Sequence, residues 1–137
     1  VKSLLKTMLD EIDNEDISET QNLKNSIVTA FEMIGFNIEI SGEIPKETPK
    51  AKALVKIIRE CATNAIRHAN ATKLFVNISD NKIEIYDNGK FANKSIIEGT
   101  GIKGMRLNAE TLGGELIISK DNGFKVVIEM QYYMSSN

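Results

Sequence analysis

The sequence predicts an α+β protein, a two-layer α/β sandwich whose helices cover one face of a mixed, mostly antiparallel sheet. Three observations carry this reading. Some segments repeat their apolar residues at helical spacing, and shorter ones alternate them as strands do. The elements follow the order helix, strand, helix, hairpin, helix, hairpin, which suits one layer of helices on one sheet.

In SLLKTMLDEI, Leu5, Met8, Leu9 and Ile12 share a helical face until the acidic DNED breaks the pattern. Ser18 and Gln21 form a capping box for a helix through Leu23, Ile27, Ala30, Phe31 and Ile34, which stops at Gly35. FNIEIS alternates as a strand and SGEIPKE is a loop. Thr48 as N-cap with Pro49 in the first turn opens a long helix to about His68. KLFVNIS and KIEIYD make a hairpin across Asp80-Asn81. A glycine-punctuated stretch leads to the helix MRLNAETL, ending at Gly113-Gly114. ELIISK and FKVVIEM close the chain as a second hairpin across Asp121-Asn122-Gly123.

At 137 residues this is one domain, able to bury a core without staples. The net charge of -2, with no local Lys/Arg run, gives no footprint for nucleic acid. A single cysteine excludes an internal disulfide and a cysteine-based metal site, and a single histidine argues against a zinc cluster. No apolar run is of membrane-spanning length and no signal peptide is legible. The chain opens on Val1, so it reads as a piece of something longer, whose membrane anchor, if it has one, lies in the missing part.

The long helix carries two stripes. At roughly 100° per residue, Leu54, Ile57, Cys61 and Ala65 form a core face, with Lys52, Lys56, Arg59 and Thr63 opposite. Glu60, Asn64, Arg67 and His68 fall between them. A carboxylate four residues before a carboxamide offers two oxygen donors on one side, enough for a hydrated Mg²⁺. Arg67 and His68, one turn on, are placed to meet phosphate. The plainer reading is a polar boundary of an amphipathic helix, favoured for Glu60 and Arg67 taken singly, while His68 alone reads as a helix-end residue. Cys61 reads as a small core hydrophobe.

Ile83, Ile85 and Asp87 are spaced by two, so Asp87 points inward with the apolar residues and needs partners. It either caps the Asn88-Gly89 turn or offers a fixed acceptor to an exocyclic amine such as adenine's. Gly99, Gly101 and Gly104 form a G-x-G-x-x-G, but no strand leads directly into it and the chain is not βαβ. Its physics survives without that fold: glycines let the backbone approach phosphates, and the next helix offers unpaired N–H groups. A flexible hinge would use glycine too.

Together RECATNAIRHA, YDNGK and GTGIKGMRLNAETLGGELII resemble the N box and the two glycine boxes of the GHKL ATP-binding superfamily. The likeness is closest to catalytic domains of sensor histidine kinases that partner NarL/LuxR-type response regulators. It spans about Ser18 to Met130, with the three motifs in the family's order. It implies the Bergerat fold, in agreement with the element order above, and Mg·ATP as ligand. By position, Asn64 becomes the Mg²⁺ ligand, and Glu60 the acidic N-box residue, near the metal or acting as a base. Arg67 and His68 approach phosphates or sugar. Asp87 accepts the adenine amine with Gly89 beside the base. Gly99, Thr100, Gly101, Ile102, Lys103 and Gly104 become hinge and phosphate cradle of a lid spanning roughly 90–99.

The chain departs from that pattern twice. Lys90-Phe91-Ala92 stands where the first box has a second glycine, and Phe124 follows Gly123 where the family often has Thr. The resemblance implies a protein-histidine kinase catalytic domain over residues 18–137, after a stretch, 1–17, that is either the tail of a dimerisation or linker helix or a surface helix. The acceptor histidine would lie on a dimerisation domain outside this chain. The isolated domain would be monomeric and on the cytoplasmic side. Two readings stay open beside it: an anti-sigma-factor-type serine kinase, and a degenerate interaction module with weak or no ATP binding.

Overall fold

The computed structural model describes residues 20–89, 100–119 and 125–131. The first helix, α1 (Thr20–Glu32), buries Leu23, Ile27, Ala30 and Phe31 and gives way at Gly35, whose φ of 82° suits glycine. The stretch before it, including the capping-box Ser18 and the helix expected around Leu5 to Ile12, lies outside the described residues. Strand β1 (Asn37–Ser41) buries Ile38 and leads by a loop into α2 (Thr48–His68). The N-cap of α2 is Glu47 rather than the expected Thr48: the Ala51 N–H bonds to the Glu47 carbonyl at 2.9 Å, so the helical ladder starts one residue earlier. Pro49 then sits in the first turn, where its missing N–H costs nothing.

Strands β2 (Lys73–Ile78) and β3 (Lys82–Asp87) form the expected hairpin, with Val76 opposite Ile85 and Leu74 opposite Asp87. Helix α3 (Thr100–Thr111) follows, then β4 (Gly114–Ser119) and β5 (Lys125–Met130), paired antiparallel as expected; their connecting turn lies outside the described residues. The sheet order is β1-β2-β3-β5-β4. All neighbours are antiparallel except β1 and β2, which are parallel. A parallel pair cannot be closed by a tight turn, and α2 is the crossover that makes it possible.

The two layers meet where Leu54, Ile57, Ile58 and Ala62 of α2 share one core with Val76, Ile83, Ile85, Val126 and Ile128. Each of the Leu, Ile and Val side chains contributes about 1.5–3 kcal/mol by leaving water. The opposite face of the sheet carries Phe75 stacked on Tyr86 (centroids 5.1 Å apart), with Lys73 and Lys125 above the rings. The same lysines pair with Glu39 at 2.7 Å and Glu84 at 2.9 Å. One face is thus core and the other polar, as the strand alternation predicts. Among the described residues no helix is long and apolar enough to cross a membrane.

The expected start of α3 at Met105 needs correcting. The helix begins at Thr100 and takes Gly101 and Gly104 into its first turns. Ile102 and Met105 are both buried and stand three residues apart, and Ala109 and Leu112 continue the same face. Burying Ile102 offsets the roughly 1 kcal/mol that a helical glycine costs.

Candidate functional site

Glu60 and Asn64 stand one turn apart on the flank of α2, both half-buried, while Ile57, Cys61 and Ala65 face the core. Among the described residues neither side chain is held by a hydrogen bond or an ion pair. Arg67 and His68 are exposed in the last turn, where the Arg67 charge also suits the helix C-terminus.

Cys61 ties this flank to two neighbours. Its Sγ lies 3.7 Å from Met105 Sδ on α3. Burial pushes its thiol pKa far up, and the nearby negative charges of Glu60 and then Asp87 push it further. Both carboxylates therefore stand close enough to act on one sulfur. The end of β3 and the flank of α2 share a neighbourhood.

Asp87 follows the buried Ile83 and Ile85 and is itself half-buried. Burial raises its pKa, and the Gly89 N–H, donated to Oδ1 at 2.7 Å, partly opposes that. Oδ1 thus caps the turn, which was the plainer of the two expectations. Among the described residues nothing donates to Oδ2. That oxygen remains an acceptor at the rim of the core, where an unsatisfied carboxylate is costly and a donor would be welcome.

Two neighbours fix this strand end; the sequence marked Asn88-Gly89 as a turn and Gly89 as lying beside a base, but not the contacts that follow. Asn88 Oδ1 accepts from the Thr72 and Lys73 N–H groups at 3.0 and 3.1 Å, and its Nδ2 donates to Thr72 Oγ1 at 3.0 Å. The available signal was the Asp-Asn-Gly turn, in which Asn side chains bond main chain. Gly89 lies against the C-cap of α2: a Cβ there would overlap the Ala69 carbonyl oxygen and come within 2.8 Å of Ala69 Cβ. The glycine is required by helix packing, beyond any expected contact with a base.

The third wall is the start of α3. Gly101 faces Glu60 so closely that a Cβ would overlap Oε2 and lie 2.8 Å from Cδ. The first turn of a helix carries the positive end of its dipole. Ile102 spends its side chain in the core, so only its main chain remains to meet a ligand. Lys103 is exposed, Gly104 has open space where a Cβ would stand, and only the main chain of Thr100 is described. Gly99, the 90–99 segment and Phe124 lie outside the described residues.

Three elements thus converge: the flank of α2, the end of β3 and the start of α3. Among the described residues no three His, Cys, Asp or Glu side chains gather as a metal nest. The donors present fit a hard cation such as Mg²⁺: it would take oxygens of Glu60 and Asn64 and fill its shell with water and phosphate oxygens. A nucleotide fits the rest, with one carboxylate oxygen that has no donor among the described residues for an amine and a helix start for phosphate.

Residues 50–133 match the family described as Histidine kinase-, DNA gyrase B-, and HSP90-like ATPase. The chain is 34% identical over 86 residues to the sensor histidine kinase YxjM of Bacillus subtilis strain 168, covering 58% of this chain and 21% of that protein. It is 31% identical over 100 residues to YvfT, a sensor histidine kinase of the same organism, covering 69% of this chain and 27% of that protein. The chain therefore spans only about a fifth to a quarter of these relatives' length. Among solved structures, the histidine kinase domain of the blue-light activated kinase EL346 of Erythrobacter litoralis superposes with a TM-score of 0.66 at 16% identity, over 94% of this chain and 70% of that one. The ATP binding domain of PrrB from Mycobacterium tuberculosis superposes at 0.53 with 19% identity, over 77% of this chain and 88% of that one. These structural likenesses support the fold, and the sequence matches supply the family. The chain belongs to the histidine kinase-, DNA gyrase B- and HSP90-like ATPase family and is homologous to sensor histidine kinases.

Proposed function

We propose that this chain is the ATP-binding catalytic domain of a two-component sensor histidine kinase. In this reading residues 18–137 form the domain, and 1–17 are the end of a linker from a dimerisation domain. The observation that carries it is the approach of the Glu60 carboxylate to Gly101 at the start of α3, inside a family of ATPases. Bound Mg·ATP supplies the transferable γ-phosphoryl group and the charge of the cation.

The chain's own residues bind, orient and neutralise. Asp87 Oδ2 accepts the adenine amino group while Oδ1 stays with the Gly89 N–H. Asn64, with Glu60 beside it, holds the cation. Arg67, His68, Lys103 and the N–H groups of Thr100 to Gly104 balance phosphate charge, with Gly99 as the hinge before them. A histidine on the parent's dimerisation domain receives the phosphoryl group: a P–N bond forms as the P–O bond to ADP breaks. Glu60 is the residue placed to accept the imidazole proton. Such catalysis is chiefly positioning and charge stabilisation. The parent's next partner is a NarL/LuxR-type response regulator, and the isolated domain is a monomer from the cytoplasmic side.

Titration with a fluorescent ATP analogue, with and without Mg²⁺, tests the site. Asp87→Asn is expected to weaken binding, since the carboxamide is a poorer acceptor and can turn its NH₂ toward the base. Equal affinity of the two proteins would remove the adenine assignment. Supplying a histidine-bearing dimerisation helix with ATP tests the transfer: phosphate on that histidine is the expected product, and phosphate on a serine of an offered sigma antagonist would move the chain to the serine kinases.

A further inference from the structure

We propose that Gly101 is a positioning residue, whose missing side chain keeps open the space that the Glu60 carboxylate occupies against the first turn of α3. A Cβ at this position would overlap Glu60 Oε2, lie 2.8 Å from Cδ and 3.5 Å from Cγ. All three atoms belong to one flexible side chain and none to the backbone. An alanine here displaces the carboxylate and leaves the fold intact.

The alternatives for this glycine are weak. Among the described residues the glycines with positive φ are Gly35, Gly42 and Gly113, so the backbone at 101 is one that alanine adopts freely. Glycine also weakens a helix relative to alanine, and position 101 lies within α3. Its neighbour Gly104 lies in the same helix and has nothing within 4 Å of a built Cβ. What distinguishes Gly101 is the carboxylate it faces. The inference rests on the proposed role of Glu60 beside the cation: a displaced carboxylate removes one oxygen from the metal's shell.

The test has two arms, both on the full 137-residue chain. The first follows the Glu60 side-chain carboxyl carbon by ¹³C NMR without nucleotide. Gly101→Ala is expected to shift that resonance while Gly104→Ala leaves it in place. The second titrates the fluorescent ATP analogue with and without Mg²⁺ into the native chain, Gly101→Ala, Glu60→Asp and the double variant. Gly101→Ala is expected to melt no lower than the native chain, yet to lose about tenfold in Mg²⁺-dependent affinity, as disturbed supports of a metal ligand typically do. On the Glu60→Asp background, where the carboxylate is withdrawn by one methylene, the same change is expected to cost much less.

An unmoved resonance overturns the proposal, as does an equal loss of affinity on both backgrounds. If the native chain shows no Mg²⁺-dependent binding, the functional reading fails separately. The resonance then decides the positioning by itself: a shift supports it and no shift refutes it.

Discussion

Replacing Gly89 with alanine sets a steric clash against parts of the molecule that have no give. The added methyl would overlap the Ala69 carbonyl oxygen, 2.8 Å from Ala69 Cβ and 2.9 Å from its carbonyl carbon. Carbon atoms in contact prefer about 3.5–4.0 Å, so the strand end and the helix end must separate by about 1 Å. Neither is loose: the Ala69 N–H bonds to the Ala65 carbonyl at 3.1 Å, and the Gly89 N–H to Asp87 Oδ1 at 2.7 Å. Overpacking of this kind costs about 2–3 kcal/mol. At roughly 3–5 °C per kcal/mol for a domain of this size, the melting temperature should fall by about 6–15 °C. Thermal unfolding followed by circular dichroism measures it, with Gly104→Ala as the comparison because an alanine there meets open space. That variant should hold or gain stability, by up to about 1 kcal/mol. Gly89→Ala melting within about 2 °C of the native chain, or both variants falling equally, would refute the packing argument.

Asp87→Asn should stabilise the fold at neutral pH while weakening nucleotide binding. Burial raises the Asp87 pKa in the folded chain above its ordinary 3.8, so protonation favours folding; that stabilisation is complete below the unfolded value and is lost as pH rises through the folded one. The variant keeps an oxygen for the Gly89 N–H, so its melting advantage should shrink as the pH of the scan is lowered. Asn88→Ala gives up three side-chain hydrogen bonds at an exposed turn and should cost about 1 kcal/mol by urea unfolding. Cys61 should resist alkylation in the native state, since burial keeps its thiol protonated; labelling at least about 100-fold slower than in urea is expected. Prompt labelling of the native chain would contradict the burial.

The periodic parts of the chain were legible because one physical cause, burial of a face, writes itself into every turn. Leu54, Ile57, Cys61 and Ala65 could be assigned to the core, and Ile83, Ile85 and Asp87 to one side of a strand, from spacing alone. The start of α3 was less legible, because local and tertiary preferences conflict there. Gly101 and Gly104 argue for a loop, while the burial of Ile102 and Met105 favours a helix. The neighbours of the candidate site were not legible at all. Cys61 and Met105 touch across 44 positions of sequence, and the facing of Gly101 on Glu60 is of the same long range. Period and propensity carry no information about such pairs. The family motifs marked Glu60 and Gly101 separately and left their contact unseen.

Because α2 holds core and cleft residues on adjoining faces, its length is far less negotiable than its composition. A single residue inserted between Ile58 and Glu60 would turn everything after it by roughly 100°. Cys61, Ala62 and Ala65 would leave the core as Glu60 and Asn64 left the candidate site. Substitutions in α2 can be absorbed one at a time, whereas an insertion breaks the core and the site together. A library of chain lengths should therefore find tolerance in the loop between β1 and α2 and none in the helix.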